Sequence, residues 1–296
     1  MHLTKHELRQ LHGTAIALGS LVEGSVAVGP SVSVVMPTRG RSTYVERAIT
    51  SVLNQSYHDF ELLILDNSPD PEKKKIREMS ESDSRIVFVN RGSIGVTEAR
   101  KLGASISRGR LFALLDSDDY WSRDRLEKHC RVWKNNKIGM SWDRWAEVSQ
   151  GIVNIVDQPF REGIVQPPKL AARLYWFNFI HASAGIVTTS FARALGFPIR
   201  EIMSSDWPLF MRAAEYYPAY FIGECLSYKE TMSPERVSNM ETREFFERES
   251  RTIRHWAMRH RPEIYGLEYM KRRTRGLIRK LKREPKPVQT VIRVNR

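Results

Sequence analysis

Leu111-Phe112-Ala113-Leu114-Leu115 is followed without a break by Asp116-Ser117-Asp118-Asp119, so five apolar residues lead directly into three carboxylates. A short, continuous apolar run of this kind is typical of a buried β-strand. In open α/β sheets, ligands bind beyond the carboxyl ends of the strands. This segment therefore predicts a buried strand with a polar binding edge immediately after it.

Three further apolar runs precede this segment and alternate with helical patterns. The predicted strands cover residues 32–36, 60–65 and 86–89. Two predicted helices begin near residues 43 and 71, and a third has Ala99, Leu102, Gly103 and Ile106 on one face. Strand, helix and strand in alternation are the pattern of parallel βαβ units. We therefore predict an α/β fold with a Rossmann-like, mostly parallel sheet flanked by helices. The residues that follow three of the strands should converge on one crevice: Thr38-Arg39, Asp66-Asn67 and Asp116 to Asp119.

The second half of the chain is less regular. Candidate helices cover residues 168–177, 190–195 and 206–216, and the sequence becomes helical and charged from about Glu241. In residues 270–283, Met270, Leu277, Ile278 and Leu281 form an apolar stripe among Lys and Arg. Such a composition suits a helix that lies on anionic lipid, and a solvated terminal helix is the alternative.

The carboxylates of Asp116, Asp118 and Asp119 repel one another where they are partly buried. At 4 Å each pair costs about 4 kcal/mol at an effective dielectric constant near 20. A hard cation such as Mg²⁺ or Mn²⁺, held by carboxylates together with substrate phosphates, removes this cost. The alternative is a solvated loop in which Asp119 or Ser122 caps the next helix. The position after an apolar strand favours the metal.

The net charge of +13 is concentrated at one end of the chain. Residues 271–296 hold eleven Lys or Arg and one acid, which leaves +3 for the other residues. Proteins that bind nucleic acid across their fold spread basic residues over the body, so nucleic acid is a disfavoured partner.

Cys130 and Cys225 have no metal or disulfide spacing, which indicates a reducing compartment. Charges and glycines interrupt the apolar residues 13–28, so a secretory signal is the weaker alternative to a cytoplasmic protein.

Four segments of the first half resemble, in order and spacing, the inverting family 2 glycosyltransferases, which have the GT-A fold. They are VSVVMPT (32–38), FELLILDNS (60–68), GVTEAR (95–100) and LLDSDDYW (114–121). The resemblance implies metal-dependent, inverting transfer of a sugar from a nucleotide-sugar of UDP type to a hydroxyl of a glycan, lipid or small acceptor. The resemblance covers residues 31–130 and, more weakly, 175–240. We therefore expect a nucleotide-sugar-binding half (31–130) and an acceptor-binding half of the same domain (131–240), with an N-terminal extension (1–30) and a basic helical C-terminal extension (241–296) outside it.

The resemblance places the donor nucleotide at the strand ends. The matching residues are Pro37, Thr38, Arg39, Asp66, Asn67, Arg100 and Asp116. Where the family often has a second acid this chain has Asn67, which leaves the identity of the base open. Asp118 and Asp119 match the end of the family's Asp-X-Asp segment that binds the metal, Mn²⁺ or Mg²⁺, and the diphosphate. Trp121 is expected either at the sugar pocket or in the core.

The resemblance also supplies a catalytic base. Residues 204–212 are similar to a family segment that opens a helix with an acid, so Asp206 would deprotonate the acceptor hydroxyl, contributing on the order of 10²–10⁴ in rate. Before Trp207-Pro208, Asp206 could alternatively act only as a helix N-cap. Arg236 or Ser238, from the family's closing loop, is expected at the diphosphate. His181 is expected at the acceptor, with a semi-buried structural histidine as the alternative.

Two other classes of function compete with this hypothesis. A nucleotidyltransferase usually has a Gly-rich, Lys-containing loop after its first strand, and residues 36–41 lack the repeated glycines. The remaining alternative is a non-catalytic module that docks on nucleic acid or a membrane through its basic tail, with a structural acidic segment.

Overall fold

The structure is a computed structural model that describes residues 29–40, 42–69, 72–90, 92, 94–199, 202–232, 243–267 and 269–271. The strands are β1 Val32–Thr38, β2 Phe60–Asp66, β3 Ile86–Asn90, β4 Leu111–Leu114, β5 Tyr120–Trp121, β6 Met140–Ser149, β7 Ile152–Ile155, β8 Gly163–Val165, β9 Gly185–Thr188 and β10 Ala219–Glu230. The helices are α1 Ser42–Leu53, α2 Glu72–Ser80, α3 Val96–Ile106, α4 Arg125–Asn135, α5 Lys169–Leu174, α6 Thr189–Leu195, α7 Asp206–Tyr216 and α8 Arg243–His260. A 3₁₀ helix covers Ala182–Ala184, and residues 262–267 and 269–271 are also helical.

The sheet has its first four strands in the order β3-β2-β1-β4, and neighbouring strands in this group are parallel. The parallel arrangement agrees with the continuous apolar runs of the sequence. Parallel strands are covered by helices on both faces, so side chains on both faces of each strand are mostly apolar. β2 is buried at every residue. The predicted α/β architecture is therefore confirmed, with the carboxyl ends of β1, β2 and β4 at one edge.

The second half continues the same sheet in the order β9-β6-β10-β5. β9 is antiparallel to β4 and to β6, whereas β6 and β10 are parallel to each other. The predicted helices at 168–177, 190–195 and 206–216 correspond to α5, α6 and α7. The long strands β6 and β10 were not predicted.

Two apolar clusters pack on opposite faces of the sheet. Alternate residues of β1 enter different clusters: Val34 and Met36 join one, and Val35 joins the other. Gly103 of α3 lies against Val35, and a Cβ at Gly103 would lie 2.3 Å from Val35 Cγ1. A side chain at residue 103 would push α3 off the sheet, so this glycine sets the height of the helix that carries Arg100.

The C-terminal helical segment is part of the same core. Ile253 and Ala257 of α8, together with Tyr265, are fully buried. The ring of Tyr265 stacks on that of Tyr175 at a centroid distance of 5.1 Å. The described residues 243–267 of the predicted C-terminal extension therefore pack against the acceptor-side half. In the described part of the chain, no helix combines the length and apolar character needed to cross a bilayer.

Candidate active site

The carboxyl ends of β1 and β2 form the first part of the site. Thr38 and Asp66 are partners in the β1–β2 register, and the Asn67 N–H donates to the Thr38 carbonyl at 2.9 Å. Asp66 Oδ1 accepts from the Ser68 hydroxyl at 2.5 Å. Among the described contacts, Thr38 Oγ1 and Asp66 Oδ2 are buried without a hydrogen-bond partner. Orphaned polar groups at a ligand edge are expected where a polar ligand completes the site.

The acidic segment after β4 forms a tight turn, in which the Asp119 N–H donates to the Asp116 carbonyl at 2.9 Å. The Asp119 carboxylate is fully buried and is held by three donors. These are Ser183 Oγ at 2.6 Å, His181 Nε2 at 2.5 Å and the Glu230 N–H at 3.2 Å. The solvated-loop alternative is therefore wrong for Asp119.

His181 lies beside this turn, before the 3₁₀ helix. Burial opposes the charged imidazolium, but the neighbouring carboxylates of Asp119 and Asp116 outweigh that effect and raise the pKa of His181. The imidazole also packs against Trp145, with a centroid distance of 5.1 Å. The expected acceptor contact of His181 stays a prediction, and its observed partner is Asp119.

Asp116, Asp119 and His181 each place one potential metal ligand within 4.8 Å of the others. Two carboxylates and an imidazole suit Mn²⁺, and the carboxylates alone suit Mg²⁺. The donor set therefore fits the predicted cofactor. The sequence pointed to Asp118 with Asp119, whereas the structure groups Asp119 with Asp116 and His181. The carbonyl of Asp118 accepts from Arg47 Nη2 at 2.9 Å.

Arg100 connects this metal group to the second half of the chain. Its Nη2 donates to Asp116 Oδ1 at 2.8 Å, and its Nη1 contacts Asp206 Oδ1 at 3.3 Å. Nη1 also donates to Ser205 Oγ at 3.0 Å. Burial opposes the charge, yet Asp116 and Asp206 together raise the pKa of Arg100. The guanidinium stays protonated and fixes the two carboxylates relative to each other.

Asp206 is the first residue of α7, and its two carboxylate oxygens bind tertiary partners. Oδ1 contacts Arg100, and Oδ2 accepts from Asn178 Nδ2 at 3.1 Å. The N-cap residue of α7 is Ser205. Asp206 therefore does not act as the N-cap, which was the alternative to a catalytic role. Asp206 is buried, and Asn178 beside it is exposed, so the carboxylate lies near the protein surface.

The other predicted site residues occupy different surroundings. Trp121 is buried, donates from Nε1 to the Ser183 carbonyl at 2.8 Å, and lies under the guanidinium of Arg125 at 4.1 Å. Its role at the sugar pocket stays a prediction. Pro37 is half-buried and Arg39 is exposed at the end of β1. Arg236 and Ser238 lie outside the described residues.

Two residues that organise the site, Ser183 and Asn178, were not predicted from the sequence. The Ser183 hydroxyl accepts from the Asp116 N–H at 3.0 Å and donates to Asp119, so one side chain fixes both ends of the acidic turn. Asn178 holds Asp206. Ser183 lies in a 3₁₀ helix of three residues and Asn178 lies in an irregular segment, so no periodicity marks either of them. The sequence offered one indication for Asn178: it lies three residues before His181, which was predicted to contact the acceptor.

The Rossmann-like sheet with a carboxylate cluster at its carboxyl edge has the architecture of the GT-A class, which its structural neighbours share. The chain belongs to glycosyltransferase family 2, because the model described as "Glycosyl transferase family 2" matches residues 33–189, more than half of its length. The predicted resemblance is thus confirmed.

Relatives match over the same part of the chain. A UDP-Glc:α-D-GlcNAc-diphosphoundecaprenol β-1,3-glucosyltransferase, WfgD of Escherichia coli, is 32% identical over 124 residues, which cover 41% of this chain and 48% of WfgD. An uncharacterised glycosyltransferase of Methanocaldococcus jannaschii is 36% identical over 112 residues, which cover 36% of this chain and 39% of the relative. The chain therefore spans half or less of the length of these relatives.

Solved structures share the fold at low identity. S. aureus TarS 1-349 in complex with UDP-GlcNAc has a TM-score of 0.61 and 18% identity, covering 73% of this chain and 64% of TarS. The mannosyltransferase PcManGT of Pyrobaculum calidifontis, in complex with GDP-Man and Mn²⁺, has a TM-score of 0.53 and 16% identity, covering 76% of this chain and 66% of PcManGT. These similarities establish the fold, and the ligands belong to those proteins.

Proposed function

We propose that this protein is an inverting glycosyltransferase that moves a sugar from a nucleotide-sugar to an acceptor hydroxyl, with Asp206 as the base. The observation that carries the proposal is the shared guanidinium of Arg100, which ties the donor-side Asp116 to Asp206. A donor anchored at Asp116 and an acceptor activated at Asp206 would thereby meet at a fixed separation. Proximity and orientation of two substrates account for a large part of enzymatic rate acceleration.

The donor nucleotide is proposed to bind at the ends of β1 and β2. Thr38 Oγ1 and Asp66 Oδ2 are the polar groups there that a base or ribose would complete. One N–H of the Asn67 side-chain amide donates to the Ile94 carbonyl at 2.9 Å, and the amide remains a proposed contact of the base. We propose a UDP-type donor, which is supported by the UDP-Glc in the name of WfgD. Pro37 and Arg39 remain proposed contacts of the same nucleotide.

Asp116, Asp119 and His181 would hold Mn²⁺ or Mg²⁺, with Asp118 on the same turn as a further proposed contact of the metal or diphosphate. A bound divalent ion would neutralise the diphosphate that leaves. The turn itself is fixed by Ser183, so its carboxylates are oriented before any ligand arrives. Such preorganisation avoids the cost of reorienting charged groups during the reaction.

The proposed reaction is one displacement at the anomeric carbon. The acceptor oxygen forms the new glycosidic bond while the bond to the diphosphate breaks, and the acceptor proton passes to the Asp206 carboxylate. Arg100 and Asn178 hold that carboxylate through Oδ1 and Oδ2. Because a positioned base must lie within hydrogen-bond reach of the proton that it removes, these two contacts fix where the acceptor hydroxyl can react.

The experiment that tests this proposal is a panel of nucleoside diphosphates and their sugars, each with and without Mn²⁺, scored by thermal shift and by turnover of the sugar donor. We expect one nucleotide to stabilise the protein only with metal, and Asp116→Asn to lose that stabilisation. Asp124→Asn is the matched control, because Asp124 is a neighbouring half-buried acid that pairs with Lys128 outside the acidic turn. No response to any nucleotide would contradict the proposal.

The basic segment 271–283 is proposed to contact anionic lipid, which would suit a cytoplasmic enzyme with a lipid-linked acceptor. The support is the composition of the segment, in which Lys and Arg surround a narrow apolar stripe. Two signals, basic and apolar, strengthen binding to a membrane surface. Residues 272–296 lie outside the described residues, so this proposal rests on sequence.

A further inference from the structure

The short loop that precedes Asp206 is bound by a buried acid of the C-terminal helix α8. Glu249 Oε1 accepts from the Met203 N–H at 2.5 Å. Glu249 Oε2 accepts from the Ser204 N–H at 3.2 Å and from the Ser204 hydroxyl at 2.5 Å. Glu249 is only 4% exposed. A buried carboxylate that accepts three hydrogen bonds fixes its donors more firmly than a neutral acceptor does, because charge-assisted bonds are stronger.

Helix α3 holds the same loop from the other side. Thr97 Oγ1 donates to the Ile202 carbonyl at 2.5 Å, and Arg100 binds Ser205 and Asp206. Thr97 and Arg100 are three residues apart, so they lie on one face of the helix. Residues 202–206 are therefore held between α3 and α8, with Glu249 supplying the bonds at the middle of the loop.

We propose that Glu249 is a positioning residue, which sets the place of the Asp206 carboxylate by fixing Met203 and Ser204. This inference rests on the proposed role of Asp206 as the base. It assigns part of the control of catalysis to a helix beyond residues 33–189, which the family model matches. A displacement of about 1 Å of a reacting group costs on the order of 10²-fold in rate, so a loosened loop should lower kcat.

The test uses Glu249→Gln in the full chain. The amide keeps one acceptor oxygen but turns an N–H₂ group toward a backbone N–H, which breaks at least one of the three bonds. We expect kcat for donor turnover to fall by about tenfold or more. The KM for the donor and the metal-dependent thermal shift by nucleotide should stay unchanged, because the nucleotide binds at β1 and β2.

Two further variants separate positioning from a general loss of stability. Glu244→Gln makes the same chemical change at an exposed residue of the same helix and should leave kcat unchanged. Ser204→Ala removes one bond from the other side of the contact and should lower kcat less than Glu249→Gln does. A fall in kcat that simply follows the loss of thermal stability across the three variants would overturn the proposal.

A double-mutant cycle with Asp206→Asn tests whether Glu249 acts through the base. If it does, Glu249→Gln should have little further effect on the residual turnover of Asp206→Asn, because the positioned group is already lost. The same fractional loss in both backgrounds would overturn the positioning role. Full turnover by Asp206→Asn would remove the base and this proposal together, whereas an inactive Asp206→Asn with a fully active Glu249→Gln would remove this proposal alone.

Discussion

Asp116 and Asp206 bind the two terminal nitrogens of one guanidinium, that of Arg100, although they belong to opposite halves of the chain. Asp116 follows β4 in the part matched by the family model, and Asp206 opens α7 beyond it. The side chain of Arg100 is 4% exposed, so water screens the contacts little. The relative position of the donor side and the proposed base is thus set by one buried cation.

Arg100→Met should lower both stability and turnover. Removing one partner of a buried ion pair leaves an uncompensated charge and typically costs about 3–5 kcal/mol. We expect a value near 3 kcal/mol, because Asp116 is 28% exposed and water can solvate it in part. Urea denaturation measures this loss. The matched control is Arg77→Met, which breaks an exposed pair with Glu81 and should change stability by less than about 1 kcal/mol. Equal losses of unfolding free energy in Arg100→Met and Arg77→Met would show that the buried ion pairs of Arg100 stabilise the fold no more than an exposed pair does.

Asn178→Ala should separate turnover from stability. Asn178 is exposed, so its removal should change the free energy of unfolding by less than about 0.5 kcal/mol. Its Nδ2 holds Asp206 Oδ2, and loss of that bond should lower kcat. Asn178→Asp should be the more severe variant, because it places a second negative charge beside Asp206. The measurement is donor turnover next to thermal unfolding, and wild-type kcat in Asn178→Asp would refute the positioning of Asp206 by this residue.

His129 should make stability depend on pH below neutrality. It is fully buried on α4 between Ser141 and Asp143, near Arg125. Burial, assisted by the charge of Arg125, lowers the pKa of His129 to about 4 from 6.5. As the pH falls below 6.5 the unfolded chain takes up this proton first, so the stabilisation present above pH 6.5 is lost toward pH 4.

The difference corresponds to about 3 kcal/mol over that interval. Urea denaturation of the metal-free protein at several pH values measures it. His129→Gln removes the titration, so the gap between the unfolding free energies of wild type and variant should narrow as the pH falls from 7 to 4. A constant gap would show that His129 is not buried in its neutral form.

The basic segment should bind anionic vesicles. Replacing the eight Lys and Arg residues of 271–283 with Gln should abolish co-sedimentation with phosphatidylserine vesicles, while donor turnover with a soluble acceptor stays unchanged. Neutral phosphatidylcholine vesicles are the control, and added salt should weaken binding of the wild type. Salt-independent binding, or equal binding by the substituted protein, would contradict the electrostatic contact.

The first half of the fold could be predicted because its strands are continuous apolar runs that end in polar residues. β6 could not, since Asp143 and Arg144 interrupt its apolar pattern. Asp143 is fully buried because Arg125 Nε donates to it at 2.8 Å and His129 lies at 3.0 Å. Arg125 and His129 belong to α4, so the sequence of β6 itself does not show that the charge of Asp143 is neutralised.

The candidate site, like the fold, could be predicted only in part from the sequence. The placement of the acids after β4 together with Thr38 and Asp66 at one edge of the sheet could be predicted from the order of the strands. The role of Asp206 as base was suggested by the family resemblance and stays a prediction. The grouping of Asp116 with His181 could not be predicted, because His181 reaches the acidic turn only when β9 pairs with β4. Glu249 was also not predicted, because helix α8 carries many charged residues and its sequence does not show which of them is buried.

Donor turnover by Asp206→Asn at saturating nucleotide-sugar and Mn²⁺ tests directly whether Asp206 is the catalytic base. We expect turnover to fall on the order of 10²–10⁴-fold while the metal-dependent thermal shift by the nucleotide equals that of the wild type. Wild-type turnover in this variant would contradict the claim that Arg100 holds the catalytic base in place.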